Sequence, residues 1–291
     1  MIPKEVLQKI RRIQITTSRM VTDVFAGHYH SVFKGQGMEF EEVREYQPGD
    51  DIRSIDWNVT ARTGHPFVKK FMEERELTIM LLLDISASSH FGTVNKLKSQ
   101  LAAELCSVLA LSAIKNNDRV GLIAFTEGIE IFLPPRKGLR HVLRIIRESL
   151  YLKPRAKGTN IPGALEYLSR TTSRRSVAFV ISDFYARNYK RPLSIADKRH
   201  DIIAMSITDP REFSLPDVGI VTVEDAETGR SLFIDTSSQE VRNGYADEAL
   251  KMFHEREKLF RSINIDHIDI RTDIPYTQAL YKFFRMRERR A

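Results

Sequence analysis

From residue 77 onward, short apolar runs alternate with segments in which apolar residues recur every three or four positions. This alternation is typical of βα units, so it predicts an α/β domain with a mostly parallel sheet and helices on both faces. The predicted strands are 77–85, 119–125, 130–133, 176–182, 201–207 and 267–271, and the predicted helices are 95–115, 139–152, 161–170 and 277–287.

Two stretches depart from this rhythm. Residues 1–76 begin with a helical pattern over 4–19 and continue into a glycine-punctuated, mixed-charge segment, which predicts a small β-rich lobe. Residues 216–236 contain two short apolar runs around a loop with Gly229, which predicts an inserted β-hairpin. We therefore expect two domains, 1–76 and 77–291.

Composition adds limits on the class of protein. A chain of 291 residues with 42% hydrophobic side chains can bury a sizeable core. It lacks an apolar run long enough to span a bilayer, and its first residues lack the pattern of a signal peptide, so we expect a cytoplasmic protein. The single cysteine, Cys106, lies in a helical apolar pattern and is interpreted as a core residue.

The positive charge is concentrated in one segment. The chain carries a net charge of +7, and residues 136–157 contain eight Lys or Arg side chains and one Glu. Such a segment suits phosphates or an acidic partner, but it equally suits a solvated helix face. Because aromatic side chains are sparse there, the segment does not favour nucleic acid as a partner.

The candidate chemistry lies where predicted strands end. Asp84 closes one apolar run and is followed by Ser86 and Ser88, while Asp183 closes another run and Thr159 precedes a predicted helix. Carboxyl ends of parallel strands meet at one edge of a sheet, where ligands collect. The carboxylates and hydroxyls of these five residues are all hard oxygen donors, which favour Mg²⁺, Mn²⁺ or Ca²⁺ over zinc or copper. The alternative is that these residues only cap helices and turns.

Two resemblances follow from these residues. Asp84-x-Ser86-x-Ser88, then Thr159, then Asp183 resembles the metal-ion-dependent adhesion site of von Willebrand factor A domains, in the same order. The segment 37–62, with its run Pro48-Gly49-Asp50-Asp51 and Trp57, resembles the signature of the bacterial family called domain of unknown function 58.

These resemblances imply a fold and a role. They imply a von Willebrand A-like domain in which three hydroxyls bind the cation, while Asp84 and Asp183 hold it directly or through water. An open coordination position would then accept a Glu or Asp from a client protein. The family resemblance also implies a non-enzymatic, chaperone-like adaptor or partner of a MoxR-type AAA+ ATPase.

Two other functions remain open from the sequence. A metal-dependent hydrolase would use the same site, although no general base is visible beside it. A nucleic-acid-binding adaptor would use the basic segment 136–157 and would bind with a steep salt dependence. The sequence contains neither a Gly-x-Ser-x-Gly elbow nor a Walker lysine loop, so we predict no catalytic residues.

Overall fold

The structure, a computed structural model, describes residues 39–72, 76–94 and 96–290. The chain divides into two compact units, one ending at Leu77 and the other beginning at Thr78. The predicted helix over 4–19 lies outside the described residues.

The described part of the smaller unit contains two antiparallel strands, one α-helix and a short 3₁₀ helix, Ile52–Ser54. Strands β1 (Glu39–Glu45) and β2 (Phe67–Met72) pair with each other, and helix α1 (Trp57–Thr63) lies between them in the chain. Asp56 caps α1 by accepting hydrogen bonds from two backbone amides, and Gly64 ends it in the left-handed conformation that favours glycine. Local capping thus defines this helix.

The larger unit is built on a six-stranded sheet. Its strand order is β10-β7-β6-β3-β4-β5, and every neighbouring pair is parallel except β4 and β5. Strands β8 and β9 form a separate antiparallel hairpin. The strands are β3 (Thr78–Asp84), β4 (Arg119–Phe125), β5 (Ile129–Arg136), β6 (Val177–Ser182), β7 (Asp201–Thr208), β8 (Ile220–Glu224), β9 (Ser231–Asp235) and β10 (Asp266–Arg271).

In the described part of this unit six α-helices flank the sheet, which confirms the prediction of an α/β unit with a mostly parallel sheet. The sequence pattern did not predict two of them, α5 and α6. Helix α6 has 24 residues but buries only Arg256 and Phe260, so it gives little apolar periodicity. The helices are α2 (Lys98–Lys115), α3 (Leu139–Tyr151), α4 (Ile161–Thr171), α5 (Lys190–Asp197), α6 (Gln239–Ser262) and α7 (Tyr276–Glu288).

The core is centred on β3 and β6, which lie side by side in the middle of the sheet. Residues 79–83 are nearly inaccessible to solvent, and every residue of β6 is buried. Strands covered on both faces have no polar face, which explains why their sequences are continuous apolar runs. Cys106 is buried within α2, as its helical spacing predicts.

Gly121 lies in β4, where β5 approaches too closely for a side chain. A Cβ there would lie 2.7 Å from Met80 Sδ and 2.8 Å from the Leu133 carbonyl oxygen. We expect Gly121→Ala to lower the free energy of unfolding by about 1–3 kcal/mol, because the backbone of β5 must move. Gly244→Ala is the control, since a Cβ there meets no neighbour within 4 Å and alanine favours an exposed helix. Equal urea-unfolding midpoints for the two variants would contradict this expectation.

None of the helices within the described ranges has both the length and the apolar character needed to cross a bilayer.

Candidate functional site

Asp84 is the last residue of β3 and lies at the carboxyl edge of the parallel strands. Its side chain is buried, and both carboxylate oxygens accept hydrogen bonds. Oδ1 accepts from the Ser86 backbone amide at 3.0 Å, and Oδ2 accepts from Ser182 Oγ on the neighbouring strand at 2.6 Å. These bonds fix the carboxylate between the ends of β3 and β6.

Ser86 follows Asp84 as the N-cap of a short 3₁₀ helix, Ala87–His90, and Ser88 lies within that helix. Their Oγ atoms lie 3.1 Å apart. Ser89 Oγ donates a 2.7 Å hydrogen bond to the Ser86 carbonyl oxygen, which holds the turn closed. The two hydroxyls are therefore adjacent, and that of Ser86 lies beside the Asp84 carboxylate.

Asp183 follows β6 directly and is also buried. The next residue, Phe184, has a φ of 58°, an uncommon conformation for an aromatic residue. Its ring packs edge-on against Tyr189 and Phe260, with centroids 5.6 and 5.1 Å away, and this packing offsets the backbone strain. The strained turn thus holds Asp183 in place at the end of the strand.

Lys98 brings a positive charge into the site. It lies in the first turn of α2, and only 3% of its surface is exposed. Its Nζ donates to Asp183 Oδ2 at 2.8 Å and to Glu212 Oε1 at 2.6 Å. Burial alone would lower the pKa of Lys98, but the charges of these two carboxylates outweigh burial and raise it. Lys98 therefore stays charged.

Glu212 is held by the turn that follows β7. Its Oε2 accepts a 2.9 Å hydrogen bond from the Asp209 backbone amide, while Asp209 Oδ1 caps the same turn through the Arg211 amide. Asp209 also accepts hydrogen bonds from the hydroxyls of Thr93 and Thr272. The loops after β7 and β10 and the segment before α2 are thus tied together beneath the site.

The buried charges do not balance. Asp84, Asp183 and Glu212 contribute three carboxylates, whereas Lys98 contributes one ammonium and Arg256, which donates to the Asp183 carbonyl oxygen at 2.9 Å, contributes one guanidinium. A formal charge of −1 is left among these five groups. Burial raises the pKa of Asp84 to about 6, and the nearby charge of Asp183 adds to the rise. A bound cation would relieve this excess of negative charge.

Thr159 lies in the loop that precedes α4, at the rim of the same edge. The backbone amide of Ala87 donates a 2.9 Å hydrogen bond to the Lys157 carbonyl, so this loop runs beside the Ser86–Ser88 turn. Thr159 Oγ1 donates a 2.9 Å hydrogen bond to Glu227 Oε1, in the turn of the β8–β9 hairpin. The contacts thus join Asp84, Ser86, Ser88 and Asp183 in one cluster, with the Thr159 loop fastened next to it.

Sequence reasoning missed three of the charged groups at this edge, Lys98, Glu212 and Glu227. Lys98 precedes Leu101, Ala102 and Leu105 at helical spacing, so it lies on the buried stripe of α2. A lysine on such a stripe signals a buried partner of opposite charge. Glu212 and Glu227 gave no comparable signal, because both lie in turns.

The family follows from comparison with known proteins. Residues 42–255 match the family model described as "Protein of unknown function DUF58". The chain belongs to the DUF58 family. A related uncharacterized protein of Mycobacterium tuberculosis, Rv1480, is 32% identical over 287 residues, covering 97% of this chain and 90% of its own. The uncharacterized protein YeaD of Bacillus subtilis is 34% identical over 105 residues, covering 36% of this DUF58 chain and 24% of its own.

Solved structures give more distant similarities to this DUF58 chain. The conserved hypothetical protein BatB of Bacteroides thetaiotaomicron is 18% identical with a TM-score of 0.47, covering 73% of this chain and 99% of its own. An aerotolerance-related membrane protein of Bacteroides fragilis is 17% identical with a TM-score of 0.48, covering 74% of this chain and 100% of its own.

Proposed function

We propose that this DUF58 protein is a non-enzymatic, divalent-cation-dependent protein-interaction module with a von Willebrand A-like larger unit. Its cation would lie among Asp84, Ser86, Ser88, Thr159 and Asp183. The observation that carries the proposal is the cluster of two buried carboxylates and two adjacent serine hydroxyls at the ends of β3 and β6.

The serine pair fits an octahedral ion. Mg²⁺ binds oxygen at about 2.0–2.1 Å, so adjacent ligands in an octahedron lie about 3 Å apart. The 3.1 Å between Ser86 Oγ and Ser88 Oγ matches that separation. Within the described ranges no three His, Cys, Asp or Glu side chains form a metal-binding group, so neutral hydroxyls would supply part of the coordination. Mg²⁺, Mn²⁺ and Ca²⁺ all accept such ligands.

Lys98 limits how strongly the Asp183 carboxylate would contribute to cation binding. Its ammonium already pairs with Asp183 Oδ2, so Asp183 has less negative charge to give to a cation. An ion held by few free carboxylates keeps a high effective charge and attracts an additional anionic ligand. We propose that a carboxylate of a client protein supplies that ligand, so that cation binding controls client binding.

A cavity of about 490 Å³ next to Asp183 supports a role in binding a partner. It is lined by the loop after β6 and by the middle of α6, and its volume lies in the range of ligand-binding pockets. Tyr185 is 43% exposed there, and the exposed Arg187 and Lys190 contribute positive charge. This cavity suits an apolar side chain that flanks an acidic residue of the client.

The same proposal assigns a MoxR-type AAA+ ATPase as a partner, in protein maturation or complex assembly. The test is retention of proteins from the source organism's lysate by wild type and Asp84→Ala, each with Mg²⁺ or with a chelator. Asp247→Ala is the matched control, because it removes an exposed carboxylate from α6. The proposal predicts that wild type and Asp247→Ala retain the ATPase only with Mg²⁺, and that Asp84→Ala does not. Equal retention under all conditions would contradict it.

A further inference from the structure

The β8–β9 hairpin reaches the candidate cation site through one polar contact. Its turn carries Glu227, whose Oε1 accepts the 2.9 Å hydrogen bond from Thr159 Oγ1. The two residues are 68 positions apart in the chain, so tertiary structure alone brings them together. Thr159 is one of the five proposed cation ligands, which makes this contact relevant to the site.

The turn that presents Glu227 is well defined by its own hydrogen bonds. Asp225 Oδ1 accepts from the Glu227 backbone amide at 3.0 Å, and Asp225 Oδ2 accepts from Thr228 Oγ1 at 2.6 Å. The Gly229 amide closes the turn on the Asp225 carbonyl at 2.7 Å, with Gly229 at a φ of 71°. The Glu227 carboxylate is thus held on an ordered turn.

Within the described ranges, the hairpin strands leave several large apolar side chains exposed. Ile220, Leu232 and Phe233 are 74%, 67% and 80% exposed. The two ends of the hairpin are tied to each other, because Thr236 donates to the Gly219 carbonyl oxygen through both its amide and its hydroxyl. The hairpin is therefore closed at its base, and at its tip Glu227 is in contact with Thr159.

We infer that Glu227 is a further residue of the cation site, which positions Thr159 and adds a negative charge beside the ion. A hydroxyl that binds a cation through an oxygen lone pair still has its proton to donate. A carboxylate that accepts this proton fixes the hydroxyl's orientation and makes its oxygen a better ligand, as outer-shell carboxylates do in other metal sites. Glu227 accepts the Thr159 proton in this structure.

This inference rests on the proposed cation site and adds a consequence for the client. A client carboxylate that approaches the ion over Thr159 meets the like charge of Glu227. The charge of Glu227 thus disfavours the approach of a client carboxylate from the hairpin side of the site.

The test is Mn²⁺ titration followed by electron paramagnetic resonance of the free ion, on the full chain. Glu227→Gln keeps a hydrogen-bond acceptor and removes the charge, and we expect it to weaken Mn²⁺ binding about tenfold. Glu224→Gln is the matched control, because it removes the same charge from β8 and is expected to leave the affinity unchanged. Asp84→Ala is expected to abolish binding.

A double-mutant cycle separates positioning from a general charge effect. If Glu227 acts through Thr159, adding Glu227→Gln to Thr159→Val weakens Mn²⁺ binding much less than Glu227→Gln does in wild type. Full additivity in this cycle, or equal affinities for Glu227→Gln and Glu224→Gln, would overturn the role of Glu227 while leaving the cation site intact. Absence of Mn²⁺ binding by wild type would overturn both the role and the site.

Discussion

Replacing Lys98 with methionine is expected to lower the free energy of unfolding by about 3–5 kcal/mol at neutral pH. The ammonium is 3% exposed and bonds to Asp183 and Glu212, so its removal leaves two buried carboxylates without a counter-charge. Methionine fills much of the same volume, which keeps the cavity small. The decrease in the free energy of unfolding therefore comes from the unpaired charges rather than from lost packing. It is measured by urea denaturation without metal.

Lys96→Met is the matched control for this prediction. Lys96 also pairs with a carboxylate, that of Glu104 at 2.7 Å, but its side chain is 41% exposed. Exposed pairs contribute at most about 1 kcal/mol, so this variant is expected to unfold close to wild type. Equal unfolding midpoints for Lys98→Met and Lys96→Met would contradict the proposed role of the buried lysine.

The Lys98→Met loss is expected to shrink as the pH falls. Burial raises the pKa of Glu212 even with Lys98 present, and removing the ammonium raises it further. A carboxyl whose pKa is higher in the folded than in the unfolded state binds its proton more tightly when folded, so acidification favours folding. Unfolding measured at pH 5 and pH 7 tests this, and a loss that does not depend on pH would contradict it.

Asp84→Asn is expected to stabilise the metal-free protein at pH 7 by up to about 3 kcal/mol. Burial and the charge of Asp183 raise the pKa of Asp84 to about 6, well above the ordinary value of an aspartate. Ionising Asp84 therefore costs stability in the folded state as the pH rises from about 4 to 7. Asparagine cannot ionise, so the variant avoids this cost, and the difference from wild type is expected to vanish near pH 4.

Asp209→Asn is the control, and it is expected to lower the free energy of unfolding at pH 7, whereas Asp84→Asn is expected to raise it. Burial alone would raise the pKa of Asp209, but hydrogen bonds from Thr272, Thr93 and the Arg211 amide outweigh burial and lower it. Ionised Asp209 thus stabilises the fold above its unfolded pKa, so its amide variant is expected to be less stable at pH 7. An Asp84→Asn variant that is also less stable would contradict the account of Asp84.

The parallel sheet could be predicted because its central strands are continuous apolar runs in the sequence. Residues 79–83 form one apolar run without alternation, as a strand covered on both faces requires. The prediction for β5 was too short, 130–133 against Ile129–Arg136, because Pro134 and Pro135 argued against a strand. An edge strand tolerates proline at positions where the backbone nitrogen faces away from the neighbouring strand, because no hydrogen bond is lost there. Strand β5 is an edge strand.

The candidate site could be predicted from the sequence only for residues that lie at or directly after the end of a strand. Contacts between residues that are distant in the chain could not be predicted. Asp84 ends one strand and is followed within four positions by Ser86 and Ser88, and Asp183 directly follows the neighbouring strand. The partners of Lys98 lie 85 and 114 positions away, so their pairing depends on how α2 packs against two loops. The contact between Thr159 and Glu227 depends in the same way on where the hairpin lies.

The most direct test of the central claim is an anomalous-difference map from crystals of the protein grown with Mn²⁺. The account predicts a peak within about 2.3 Å of Ser86 Oγ and Ser88 Oγ, between Asp84 and Asp183, and its absence in Asp84→Ala crystals. A map without a peak at the ends of β3 and β6, in crystals where wild-type protein is saturated with Mn²⁺, would contradict it.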